Sequence, residues 1–167
     1  MARRVATVGA FVALALIFSY VEAIIPFNFG IPGIKLGLAN LVIVTGLYFL
    51  NYKDVCIISL LRIFISGLLF GNGLSLIYSI SGGLLSLIVM IIFKKTNIFS
   101  VVGVSIVGAV FHNISQIIAA AFVIQTSVVV IYLPILMIAG VGTGFLIGFI
   151  SSNLLPILIK QNTRQFH

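Results

Sequence analysis

"GVSIVGAVFHNISQIIAAAFVI", residues 103–124, decides how this chain is to be read. It belongs to an apolar run from Ile98 to Ile124, long enough as a helix to cross a hydrocarbon core of about 30 Å. Yet His112, Asn113, Ser115 and Gln116 stand together in its middle. A run of this kind is either a membrane span with an internal polar feature or the core helix of a soluble domain, and the rest of the chain chooses between them.

The chain has 167 residues, 62% of them hydrophobic and only 7% charged, where a soluble domain carries about 25% charged residues. There is not enough polar surface to cover a globule, so the solvent of the outer face is lipid. The formal net charge of +7 does not indicate nucleic acid, because the basic residues fall between apolar segments and not along one groove or stripe. The single Cys56 excludes a disulfide within the chain and a cysteine-rich metal site.

Six apolar runs predict six helices: Val5 to Ile25, Leu36 to Leu50, Val55 to Phe70, Leu74 to Phe93, Ile98 to Ile124, and Ile131 to Ile159. The second and third reach only about 22 to 24 Å as helices, so they are short or flanked by dipping loops. Cytoplasmic flanks collect Lys and Arg. With the N-terminus inside, Arg3, Arg4, Lys53, Lys94, Lys95, Lys160 and Arg164 fall on the cytoplasmic side and Lys35 outside. The expected fold is all-α, a single integral domain over residues 1–167, with six transmembrane helices and both termini cytoplasmic. The first segment also carries signal-peptide features, namely a basic start, an apolar run and a small-x-small end at Val21 and Ala23. Its length favours a retained span.

A charge near the bilayer centre costs on the order of 2.5 to 3.5 kcal/mol on insertion scales, which makes each intramembrane ionisable residue a functional candidate. Arg62 lies eight residues beyond Asp54, about 12 Å into its helix. Glu22 stands near the outer end of the first helix and Lys35 closes the loop after it. His112 is halfway along the fifth helix, Gln116 is one turn further on the same face, and Asn113 is beside them. With Asn40 and Asn72 these residues share the middle or outer half of the membrane, as an outward-opening pocket would require. The eight candidate substrate-binding residues are therefore Glu22, Lys35, Asn40, Arg62, Asn72, His112, Asn113 and Gln116.

Blander roles compete at each position. Arg62 suits a structural ion pair with Glu22 or bonds to backbone carbonyls, and His112 and Gln116 suit hydrogen bonds to a neighbouring helix. Asn40 and Asn72 suit helix caps, and His167 is a tail residue with no role. Cations exceed acids around the pocket, which favours an anionic or polar ligand. No residue set suggests a metal site or a resident cofactor.

Between the first two helices, "IPFNFGIPGIKLGLAN" (residues 25–40) cannot continue a helix past Pro26 and Pro32, yet it stays apolar. Such backbone is tolerated at membrane depth only where protein buries it or a cavity is lined. It predicts a lid-like outer loop over about residues 26–37. Three stripes of small residues promise close helix packing: Ala2, Ala6 and Ala10; Ser75, Ser79 and Gly83; Gly140, Gly144 and Gly148. Internal packing is the default reading of all three, although an external protein partner uses the same chemistry. No G-x-x-x-x-G-K-[ST] loop occurs, so any uphill transport draws its energy from a partner or an ion gradient.

Five segments in order carry a resemblance: "PGIKLGLANLV" (32–42), "LLRIFISGLLFG" (60–71), "YSISGGLLS" (78–86), "GAVFHNISQ" (108–116) and "YLPILMIAGVGTGFLIG" (132–148). Over nearly the whole chain the sequence resembles the bacterial Gx transporter family, often labelled heptaprenyl diphosphate synthase component I. That family in turn resembles the six-helix substrate-binding S components of energy-coupling-factor transporters. The resemblance implies a subunit of the bacterial inner membrane that captures a vitamin-like substrate from outside, while a transmembrane coupling protein and two ATPases supply the work. It also implies docking on the coupling protein through an A-x-x-x-A pattern, which Ala6 and Ala10 match and which Ala2 extends only beside Arg3 and Arg4.

The enzymatic label meets a chemical objection. Prenyl diphosphate synthases hold magnesium through paired aspartate-rich motifs, since a hard cation needs several oxygen ligands, and this chain has one aspartate, Asp54. The expectation is a non-enzyme. A non-catalytic accessory role in isoprenoid or quinone metabolism is an alternative. A second is a membrane subunit of a flavin- or quinone-linked electron-transfer system, although the chain offers no bis-histidine haem pair and no cysteine cluster.

Overall fold

Each apolar run of the sequence forms a helix. The computed structural model describes residues 2–24, 37–71 and 73–164, with side chains described as far as Gln161. Helix α1 spans Ala2–Ile24, α2 Leu38–Phe49, α3 Tyr52–Phe70, α4 Gly73–Lys95, α5 Val101–Ile124 and α6 Leu133–Arg164, with a 3-10 turn at Ser127–Tyr132 leading into α6. No strand occurs among the described residues.

Hydropathy predicts where helices exist, whereas local chemistry sets where they begin. The fifth run was expected to start at Ile98, but α5 begins at Val101. Asn97 takes a left-handed conformation, φ 55°, and the Ser100 hydroxyl caps the helix by accepting from Gly103 N at 3.2 Å. The sixth run was expected to be helical from Ile131. Instead the Thr126 hydroxyl accepts from Val128 N at 3.4 Å and starts the 3-10 turn. Helix α6 follows with Pro134 in its first turn, where a missing N–H leaves no bond unmade.

Among the described residues, four segments are long and apolar enough to cross a membrane: Ala2–Ile24, Gly73–Lys95, Val101–Ile124 and Ser127–Gln161. Helix α3 has 19 residues but carries Lys53, Asp54 and Arg62. Helix α2 has 12 residues and reaches only about 18 Å. The outer surface is oily: Leu68 is 76% exposed, Ile138 74% and Phe122 81%. Such a surface suits lipid and not water.

The helices close into a ring. Helix α1 packs on α3, α3 on α4, α4 on α5 and α5 on α6, and α6 returns through α2 to α1. The closest seam is α5 against α6, and glycine makes it. A Cβ added at Gly144 would stand 2.6 Å from Ile106 Cα, and one at Gly148 would stand 2.6 Å from Val102 Cα. Helix α2 is buried on every side, with Ala39 and all residues from Val42 to Leu47 inside, as expected of a helix apolar all round. Its Ile43, Val44 and Leu47 pack with Val55, Ile58, Leu87, Met90, Val104 and Ile147. Among lipid tails the transfer from water is already complete, so close packing holds this core.

One end of the bundle is basic. The Arg4 guanidinium grips Asp54 through Nε at 2.9 and 3.1 Å and through a terminal nitrogen at 2.6 Å, tying the start of α1 to the start of α3. Lys94 donates to the Leu47 carbonyl at the end of α2 and lies over the rings of Tyr48 and Tyr52, 4.9 and 4.7 Å from their centroids. A cleft lined by Arg3, Arg4, Asn51, Asp54, Leu158 and Gln161 brings the end of α6 to the same place. The seven cations expected on the cytoplasmic side all lie on α1, α3, α4 and α6, whose ends meet here.

Candidate functional site

Because α2 is short and its last turns are anchored at the basic end, its first turn begins well below the opposite end of the ring. A cavity of about 360 Å³ opens in the space left over. Its walls come from every helix: Ser19 and Glu22 of α1, Asn40 of α2, Arg62, Ser66 and Phe70 of α3, Ser75 and Ser79 of α4, His112, Asn113 and Gln116 of α5, and Thr143 of α6.

Six residues singled out from the sequence, Glu22, Asn40, Arg62, His112, Asn113 and Gln116, thus converge on one hollow although they come from four helices. Lys35 and Asn72 lie outside the described residues, as do most of the lid-like loop expected over 26–37 and His167. Gly37, the end of that loop, lines the cavity.

Local chemistry places each side chain. Gly37 enters α2 in the left-handed region, φ 76°, and supplies no side-chain cap; glycine is the residue that adopts this conformation without steric cost. The missing cap comes from another helix. Glu22 Oε1 of α1 accepts from Leu38 N at 2.6 Å, which sets a carboxylate on the positive end of the α2 dipole. Asn40 is therefore not the cap; it stands one turn in and faces the cavity. Glu22 also attracts the Arg62 cation. Arg62 Nε is buried and finds no hydrogen-bond acceptor among the described residues, and the same holds for Ser19 Oγ.

On α5, Asn113 donates from Nδ2 to the Leu136 carbonyl of α6 at 2.6 Å, so part of its capacity goes to joining helices. His112 and Gln116 pack closely on Gly82 of α4, where an added Cβ would stand 2.9 Å from His112 Cε1 and from Gln116 Cγ. Gly82 is a positioning residue that the sequence reading passed over. Ser19, Ser66 and Thr143 were also missed, since lone hydroxyls in apolar helices give no signal. Ser75 and Ser79, read as a packing stripe, line the cavity as well.

The small-residue stripes divide. Gly140, Gly144 and Gly148 are buried against α5, and Gly83 is buried against Ile63. By contrast Ala2, Ala6, Gly9, Ala10 and Ala13 of α1 are all exposed, and an added Cβ at Gly9 would meet nothing within 4 Å. Internal packing was the default reading of all three stripes. It holds for α6 and for Gly83, and it is corrected for α1.

A helical membrane protein with a polar cavity let into one end of an apolar bundle is the class that this fold and site define. Residues 11–154 match the family described as Heptaprenyl diphosphate synthase component I, and the chain belongs to that family. No curated protein and no solved structure matches it.

Proposed function

We propose that this chain is the membrane-embedded substrate-binding subunit of an energy-coupling-factor-type transporter in the bacterial cell membrane. All six helices count as crossings, with both termini cytoplasmic and the cavity open to the outside. The observation that carries the reading is the one-sided cavity: six polar or charged side chains from four helices face one hollow, while α2 and the Arg4–Asp54 pair occupy the other end. A capture subunit needs that asymmetry, because a ligand must enter from one side and be held until a partner acts. The Lys and Arg residues gathered at the basic end support the orientation.

In this reading the chain is no enzyme, needs no cofactor, and takes its energy from a transmembrane coupling protein and ATPases. The uncovered Ala6 and Ala10 face supports a docking role, since small residues let another helix approach closely in lipid. The family description favours a competing reading, a non-catalytic accessory in isoprenoid or quinone metabolism. The polar cavity wall fits a prenyl chain poorly, and Glu22 and Asp54, the chain's two acids, sit at opposite ends.

Affinity purification of the tagged chain from its own membranes separates the two. Co-purification of a coupling protein and ATPases is expected, with loss when Ala6 and Ala10 are both changed to Leu. Retained assembly in A6L/A10L counts against docking through α1, and a deletion that changes prenyl chain length without touching uptake favours the accessory reading.

A further inference from the structure

The charge inventory of the chain constrains what the cavity accepts. Only two acids are available to neutralise nine Lys and Arg residues. Asp54 is held by Arg4 at the basic end, so Glu22 is the single carboxylate that can serve the cavity. One of its oxygens already accepts from the first turn of α2. The Arg62 guanidinium, with five N–H donors in a planar fork, therefore has more donor capacity than its described surroundings satisfy, and its Nε finds no acceptor among the described residues. A buried cation left in this state is costly unless something completes it.

The rest of the wall sets the other half of the ligand. Amide and hydroxyl groups from Asn40, Gln116, Ser75 and Thr143 face the space, and Phe70 is the only apolar aromatic side chain among the described lining residues. Ligand pockets are ordinarily lined mainly by apolar and aromatic side chains with a few polar groups, and this one departs from that pattern toward polar groups. The volume of about 360 Å³ lies at the small end of the range of about 300 to 1,000 Å³ for ligand pockets.

We infer that the cavity binds a small hydrophilic organic acid, its oxyanion seated on Arg62 and its hydroxyl or amide groups hydrogen-bonded to the α4, α5 and α6 walls. This rests on the capture reading and narrows it to a substrate class. A carboxylate and a phosphate monoester share the chemistry that Arg62 recognises, because both offer oxygens to its fork.

The test titrates the detergent-purified full chain with gluconate, glucose 6-phosphate, glucose and glucosamine, followed by calorimetry and by thermal unfolding. Binding and a raised Tm are expected with gluconate or glucose 6-phosphate, and the stronger of the two identifies the preferred oxyanion. Glucose and glucosamine should bind at least about tenfold more weakly, as loss of a charge-assisted hydrogen bond requires. Arg62→Gln should abolish the anion preference and Arg3→Gln, at the opposite end, should leave it intact. Should Arg62→Gln fail to fold, Arg62→Lys carries the test: it keeps the charge without the fork and should weaken anion binding while retaining the order of the probes. Glucose binding as tightly as gluconate overturns the acidic class but leaves a capture role standing. No response to either anion, or an anion response unchanged in both Arg62 variants, overturns the inference outright.

Discussion

Glu22 shows how one side chain can serve a fold and a site together. It caps α2 from a different helix and sets a negative charge near Arg62. The two roles predict a measurable coupling. Glu22→Ala should destabilise the chain in detergent by about 1 kcal/mol or more, since it removes a cap acceptor and a counter-charge. In an Arg62→Gln background the same change should cost less, because the charge it balanced is gone. A double-mutant cycle from unfolding curves is expected to give a coupling above about 0.5 kcal/mol; strict additivity would leave Glu22 with capping alone. The sequence marked both residues through the cost of charge in lipid. It could not mark the bond between Glu22 and the Leu38 amide, because a backbone donor carries no signature in residue type.

At the scale of elements, glycine spacing means different things on different helices. The G-x-x-x-G run of α6 and the A-x-x-x-A run of α1 are equivalent as patterns, and only packing tells them apart. An alanine at Gly144 would press its Cβ on Ile106 Cα and the Ser105 carbonyl, at 2.6 and 3.0 Å. Backbone cannot step aside as a side chain can, so Gly144→Ala should cost about 1 to 3 kcal/mol. Gly142, two residues earlier on the same helix, has nothing within 4 Å of an added Cβ. Gly142→Ala should therefore be neutral or stabilising by up to about 1 kcal/mol, from helix propensity alone. Thermal unfolding of both variants checks the pair, and equal effects would show that the α5–α6 seam is looser than its geometry. The helices themselves were legible, because lipid leaves a long apolar run no other way to satisfy its amides. Their starts were less so: Ser100 and Thr126 set the beginnings of α5 and of the 3-10 turn through single hydroxyl bonds, and hydropathy is blind to these.

For the whole molecule the decisive asymmetry is the length of α2. A helix of 12 residues held at the basic end by Lys94 cannot fill the ring to the other end, so the cavity follows from a missing length of helix as much as from its polar wall. Six cavity residues were legible in the sequence for the opposite reason to α2: α2 shows as an apolar run, whereas each of the six breaks the apolar rule of its surroundings. The cavity's use for uptake depends on which way this asymmetry faces. In a chain with Cys56 replaced by Ser, Ser127→Cys, exposed beyond the cavity end of α5, should react with a membrane-impermeant maleimide in intact cells. Thr96→Cys, exposed at the basic end after α4, should react only once the membrane is permeabilised. The positive residues demand this order, because seven cations on the outer face would oppose the charge bias that sets topology. The reverse labelling pattern would turn the cavity toward the cytoplasm, and capture from outside would then be impossible for this fold.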